Sequence, residues 1–141
     1  MKLLKAQEND LKQILELHTK LFDYNYTYDN YLFEIDNAIS HFMVLKNNEQ
    51  IIGYFVIHII YEQLEIVIIA ISEEYQNQGY GQFLLDYIDY LKIKNCCHEI
   101  LIEVLETNYK AISFYEKNNF FLLDRRNDYY GKGKNALIYR K

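Results

Sequence analysis

The chain has 141 residues, half of them hydrophobic, and a formal net charge of −5. This length and apolar content suit one folded domain with its own core and exclude a disordered chain. The acidic balance makes a general nucleic-acid binder a poor fit, while leaving room for a local basic patch.

Leu3 to Ala6 reads as a short first strand. The start, MKLLKAQENDLKQ, turns polar and acidic too early for a signal peptide. Asn9 or Asp10 is placed to cap a helix in which Leu11, Ile14, Leu15, Leu17, His18, Leu21 and Phe22 recur at helical spacing. His18 lies on or beside that apolar face and reads as a core or boundary histidine. Asp23 to Asp29 has aromatic and polar residues without a period and reads as a loop. Its tyrosines, Tyr24, Tyr26 and Tyr28, either line a groove or pack locally. A second helix is expected over Asn30 to Ile39, with Leu32, Ile35 and Ile39 on one face.

His41 to Leu45 is expected to be a strand, Asn47 to Gln50 a hairpin turn and Ile51 to Ile60 the return strand, with a bulge at Gly53. The run from Ile51 to Tyr61 is the longest apolar stretch, but Gly53 and His58 interrupt it and it is too short to span a bilayer. Ile66 to Ile71 reads as a strand covered on both faces. After the turn at Gln76 to Gly81, a helix over Tyr80 to Lys94 carries Phe83, Leu84, Tyr87, Ile88 and Leu91 at helical spacing. Cys96 and Cys97 are adjacent, a poor geometry for a disulfide, and no spaced partner offers a metal site. Reduced thiols in a cytoplasmic protein are the simplest reading.

Glu99 to Leu105 is a second buried strand, and the strand–helix–strand order makes it parallel to Ile66–Ile71. Glu103 stands inside that apolar run and from the residues alone reads as a structural carboxylate paired with a cation. Asn108 is placed to cap a helix over Tyr109 to Asn118. Phe120 to Asp124 reads as a strand, Arg125 to Gly131 as a polar aromatic loop and Ala136 to Tyr139 as the last strand. There is no repeat and no interdomain linker, so residues 1–141 are expected to form one domain.

Gln76-Asn77-Gln78-Gly79-Tyr80-Gly81 is the most informative stretch. A strand followed by glycines at the start of a helix leaves free backbone N–H groups and a positive dipole end, which suit a phosphate. The spacing alone suits a tight turn with no ligand equally well. A dinucleotide fingerprint would need a third glycine where Leu84 stands. A P-loop would need Gly-Lys-Ser or Gly-Lys-Thr, which is absent.

What remains, Q-x-x-G-x-G after an apolar strand, resembles the acetyl-CoA pyrophosphate loop of the GNAT family of N-acetyltransferases. Asn108 with Ala111 and Phe114-Tyr115-Glu116-Lys117-Asn118-Asn119-Phe120 resembles a second GNAT segment, N-x-x-A-x-x-[FL]-Y-x-x-x-G-F. Arg125-Arg126-Asn127-Asp128-Tyr129-Tyr130 is similar to the R-x-Y-Y loop of the RimI-type branch, which acetylates protein N-termini. The resemblance implies an α/β GNAT fold: a mixed, mostly antiparallel sheet with a splayed central parallel pair, flanked by helices. It implies acetyl-CoA as co-substrate. Ile69, Ala70 and Ile71 would bond its pantetheine arm. Asn77, Gln78, Gly79, Tyr80, Gly81 and Gln82 would hold its pyrophosphate, with Asn108 beside the arm. Glu103 would be the general base and Tyr115 the acid for the leaving thiolate. Tyr26, Tyr28, Arg126, Tyr129 and Tyr130 would contact the acceptor, a protein N-terminus such as that of a ribosomal protein. No metal, nucleic acid or membrane enters this reading, and a monomer or weak homodimer is expected. A small amine (polyamine, amino acid or aminoglycoside) as acceptor, or a non-catalytic acyl-CoA sensor, are the alternatives.

Three positions depart from the pattern. Asn77 and Gln82 stand where many GNAT loops are basic, Asn119 replaces a glycine, and Asp128 separates Asn127 from Tyr129.

Overall fold

The structure, a computed structural model, describes residues 1–141. Seven strands form one sheet: β1 (Lys2–Lys5), β2 (Ser40–Asn47), β3 (Gln50–Ile60), β4 (Gln63–Ile71), β5 (Glu99–Leu105), β6 (Phe121–Arg126) and β7 (Ala136–Arg140). Their spatial order is β1-β2-β3-β4-β5-β7-β6. Only β4 and β5 pair in parallel; the other neighbours are antiparallel. The helices are α1 (Leu11–Leu21), α2 (Tyr28–Asp36), α3 (Tyr80–Lys94) and α4 (Tyr109–Lys117).

The sheet buries both faces of its centre. On one face Leu11, Ile14 and Leu17 of α1 and Tyr31 of α2 pack on Phe42, Val44, Tyr54, Val56, Ile68 and Ala70. On the other, Leu84, Leu85, Ile88 and Leu91 of α3 and Tyr115 of α4 pack on Phe55, Ile57, Leu64, Ile66, Ile100 and Ile102. Leu84, Leu85 and Ile88 are fully buried, and each such side chain contributes about 2 kcal/mol by burial. That packing fixes α3 on the sheet and so fixes where its N-terminus points.

Two bulges shape the central strands. In the β2–β3 ladder, Leu45 faces Gly53 while Lys46 faces Ile51, which leaves Ile52 as the extra residue beside Gly53. In the β3–β4 ladder, Ile57 faces Ile66 and Val56 faces Ile68, so Val67 is the extra residue. A bulge adds twist and bends its strand, and it also resets which side chains face which core. Leu64 and Ile66 belong to the α3 side, whereas Ile68 and Ala70 belong to the α1 side.

Gly53 is required by close approach rather than by its own dihedrals. A Cβ there would lie 2.6 Å from Ile71 Cδ1 and 2.8 Å from the Ala70 carbonyl oxygen. The carbonyl belongs to the backbone and cannot swing aside. Gly53→Ala is therefore expected to destabilise the fold by about 1–3 kcal/mol, read as a lower urea midpoint at unchanged slope.

Several boundaries differ from the sequence reading. The second helix is Tyr28–Asp36 rather than Asn30–Ile39, because Thr27 and Asn30 cap each other reciprocally and start it early. Asp10 occupies the residue before α1 but does not cap it; its carboxylate accepts the Gln7 N–H and pairs with Lys46 at 2.8 Å. Arg125 and Arg126 lie in β6, opposite Leu137 and Ala136, not in a loop. β6 is an edge strand exposed along its whole length, so charged residues cost nothing there. Cys96 and Cys97 are both free thiols. No helix is long and apolar enough to cross a membrane.

Candidate active site

The parallel pair comes apart partway along. β4 and β5 are matched from Gln63–Glu99 to Ile66–Ile102 and no further. β4 nevertheless continues to Ile71 and β5 to Leu105. The separation begins at Val67, the bulged residue, so the bend in β4 and the loss of pairing share one cause. Beyond it, Ile69, Ala70 and Ile71 keep their β3 partners and have none on β5. The opening between the two strands is lined by backbone that an extended chain can pair with, as at any sheet edge.

The loop from Gln76 to Gly81 stands at the end of β4. Gly79 and Asn77 adopt left-handed conformations, φ 90° and 61°. Gly79 precedes α3, which runs 15 residues. None of the N–H groups from Asn77 to Gln82 donates to a protein acceptor, and the first helical bond is Phe83 N–H to the Gly79 carbonyl. This row of free donors at a positive dipole end fits a pyrophosphate. Gly81 has ordinary dihedrals; its missing Cβ faces the Phe114 ring of α4 at 3.8 Å. Gln76 Nε2 donates to the Ile71 carbonyl at 2.9 Å, tying the loop to the strand end, so that carbonyl is already occupied.

The loop itself lacks a cation, but α4 brings one. Lys110 Nζ donates to Gln76 Oε1. An ammonium in this place strengthens anion binding as a point charge. Lys110→Ala is expected to weaken binding of a pyrophosphate-bearing ligand about three- to tenfold, and to flatten the salt dependence of that binding.

Glu103 follows directly on Ile102, the last residue of β5 that pairs with β4. Ile100, Ile102 and Val104 face the α3 side, so alternation turns Glu103 to the opposite face. Its carboxylate reaches Arg126 Nη1 at 3.5 Å. Burial pushes its pKa above the ordinary carboxylate value; Arg126 opposes this and Glu65 adds to it. Tyr130 lies close enough for the Glu103 charge to act on it. With burial as the main cause, its phenol is pushed up to about 12. Tyr24 is likewise raised to about 12, by burial first and Tyr130 second. Arg126 stacks on Tyr129 at 5.3 Å from the ring centre. Glu103, Arg126, Tyr129, Tyr130 and Tyr24 thus gather on one face of the opening.

Tyr115 is on the other. It is 3% exposed and packs against Phe114 and Phe120, with ring centres 5.3 and 5.2 Å away. Burial alone raises its phenol pKa. The hydroxyl makes no hydrogen bond within the protein, yet the only fully enclosed side-chain polar atom without a partner is Ser40 Oγ. The Tyr115 oxygen therefore keeps a face open to solvent.

A sequence model of the Acetyltransferase (GNAT) family matches residues 9–120. The chain belongs to the GNAT acetyltransferase family. Among its relatives is an N-alpha-acetyltransferase of Saccharolobus solfataricus, 28% identical over 146 residues, covering 94% of this chain and 87% of the relative. A ribosomal protein bS18-alanine N-acetyltransferase of Haemophilus influenzae is 33% identical over 98 residues, 67% of this chain and 66% of that one. Arabidopsis thaliana Naa50, solved with the bisubstrate analogue CoA-Ac-MVNAL, superposes with a TM-score of 0.85 at 23% identity, covering 99% of this chain and 97% of that one.

In this GNAT domain not every residue expected at the site sits alike. Asn108 caps α4, its Oδ1 accepting the Ala111 N–H at 3.2 Å. Asn119 has φ 69°, so it takes the left-handed turn the usual glycine would. Tyr26 turns its hydroxyl inward to Glu34 Oε1 at 3.0 Å, and Glu34, 5% exposed, also accepts from His58 Nε2 at 2.7 Å. Tyr28 is the exposed first residue of α2 and makes no side-chain hydrogen bond. His18 is a core residue: Nε2 donates to the Tyr24 carbonyl at 2.8 Å and Nδ1 meets the Tyr31 hydroxyl at 2.9 Å, which meets that of Tyr54 at 2.7 Å. It anchors the loop that carries Tyr24.

Lys110, Glu65 and the contacts of the Gln76 side chain lie outside the roles expected from the sequence. Gln76 stood in the motif and could have been found there. Lys110 and Glu65 sit in no pattern that separates them from other surface charges.

Proposed function

We infer that this protein transfers the acetyl group of acetyl-CoA to the N-terminal α-amine of a protein, as the RimI-type enzymes do. One observation carries the reading: the sheet opens at Ile66–Ile102 with a carboxylate, Glu103, on one side of the gap and a phenol, Tyr115, on the other. The relatives support the acceptor class, since those named above are an N-alpha-acetyltransferase and a ribosomal-protein alanine N-acetyltransferase.

Acetyl-CoA supplies the acyl group as a thioester. Asn77 to Gln82 offer amides and Lys110 a cation to its pyrophosphate, and the β4 edge at Ile69 offers backbone groups to its arm, whereas Ala70 turns its carbonyl to Gly53 of β3. An α-ammonium has a pKa of about 8 and attacks only after losing a proton. Glu103 takes that proton, directly or through water. A β4 amide faces the charge that develops on the carbonyl oxygen. The Tyr115 hydroxyl gives its proton to the departing thiolate. Burial keeps that phenol protonated throughout the neutral range. Most of the acceleration comes from holding the two reactants together.

The test is thiol release from acetyl-CoA with a panel of short peptides, polyamines and single amino acids. Turnover with peptides, abolished when the terminus is blocked, is the expected result. Turnover with polyamines or amino acids alone would move the acceptor to a small amine, and tight CoA binding without any turnover would favour a sensor.

A further inference from the structure

The loop that carries Tyr129 and Tyr130 is held from outside itself. Glu106, the first residue after β5, donates its backbone N–H to the Asn135 carbonyl at 2.9 Å. Its carboxylate accepts from Asn135 Nδ2 at 2.7 Å and from Arg125 Nη2, whose distances to the two oxygens are 3.0 and 3.2 Å. Asn135 Oδ1 in turn accepts the Asp128 N–H at 2.8 Å, and Asp128 Oδ1 accepts the Gly133 N–H at 2.6 Å. Hydrogen bonds therefore run in series from Glu106 through Asn135 and Asp128 to Gly133. They brace the connection between β6 and β7 at both ends.

This accounts for Asp128, the residue that separates Asn127 from the two tyrosines. Its left-handed backbone, φ 55°, and its carboxylate close the loop on Gly133. The Asn135 amide, then Arg125, hold the Glu106 carboxyl below the usual carboxylate range. Charged hydrogen bonds of this kind are the stronger ones. Glu106 is also two residues before Asn108, which caps α4, and three after Glu103.

We propose that Glu106 is a positioning residue for the acceptor: it locks the 127–135 loop, and with it Tyr129 and Tyr130, to the β5–α4 turn beside Glu103. The proposal rests on the reading that those tyrosines contact the acceptor. Glu106 touches neither substrate. Its carboxylate sets the height and tilt of the loop, and so the width of the groove leading to Glu103.

Hydrogen exchange and kinetics together test this. In Glu106→Ala, the amides of Asp128 and Gly133 exchange about tenfold faster or more, while those of β3 and β4 are unchanged. The KM for a free-amine peptide rises about tenfold, with kcat and the KM for acetyl-CoA within about twofold. Glu106→Gln, which can still accept from Asn135, recovers part of the peptide KM. Asn135→Ala reproduces the effect, and the double variant is no worse than either single one, because both cut the same chain. Unchanged exchange in the loop overturns the proposal whether or not peptides are turned over. So does a parallel rise in both KM values. Absence of peptide turnover by the wild type, with loop exchange accelerated in Glu106→Ala, would instead count against the acceptor assignment and keep the brace.

Discussion

Glu103→Gln is expected to lower kcat by about 10²–10³ near neutral pH while leaving the KM for acetyl-CoA almost unchanged, because a positioned general base contributes on this scale. The sign of the pH dependence follows from the environment of the carboxylate. Burial, aided by Glu65, holds its pKa above the ordinary value, and Arg126 works against them. The base is active only when ionised, so the rate rises with pH through an apparent pKa above that of a free glutamate. Arg126→Ala removes the group that favours the charged form and moves this limb to higher pH. Glu65→Gln moves it lower. Stability gives an independent check. A carboxylate whose folded pKa is raised binds more protons in the native state than in the unfolded state across that window. Stability therefore falls as pH rises through it. Glu103→Gln removes that penalty and is expected to melt no lower than the wild type at pH 7, so lost rate cannot be blamed on lost fold.

Tyr115→Phe is expected to lower kcat by about 10² with the Tm unchanged. The two predictions separate chemistry from packing for different reasons. The Tyr115 ring is buried against Phe114 and Phe120, and phenylalanine keeps that contact. Its hydroxyl bonds to nothing in the protein, so removing it leaves no buried partner unsatisfied. A rate loss on this background reports the lost proton donor. A CoA thiolate that departed without a proton donor would show itself as an unchanged kcat.

The parts that could be read from sequence are those encoded by local pattern. The apolar run of β4, the glycines after it and the helical spacing from Phe83 to Leu91 lie within about one window of sequence, and each implied the next. The opening between β4 and β5, implied by the family resemblance, has no such local mark. It starts at Val67, one apolar residue in an unbroken apolar run, and only the pairing with β3 and β5 makes it the bulge. The cation beside the pyrophosphate loop was hidden for a similar reason: Lys110 meets Gln76 across 34 residues of chain. Arg125 and Arg126 open a polar stretch that reads as loop, yet a sheet edge open to solvent tolerates them as strand. The cap at Thr27 is masked by the tyrosines around it, although its partner Asn30 stands three residues on, where a capping box places it. Tyr26 sits in the aromatic loop as expected, but its pairing with Glu34 required α2 to be in place first.

On the proposed function one site takes both substrates, from opposite faces of the opened sheet. Calorimetry with a conjugate that joins CoA through an acetyl bridge to a peptide N-terminus addresses this directly. The conjugate is predicted to bind at least about 10²-fold more tightly than CoA or the peptide alone, since linking converts the second contact into an intramolecular one. A conjugate held no more tightly than CoA would mean that the groove beside Glu103 does not receive a peptide terminus, contradicting the proposed acceptor.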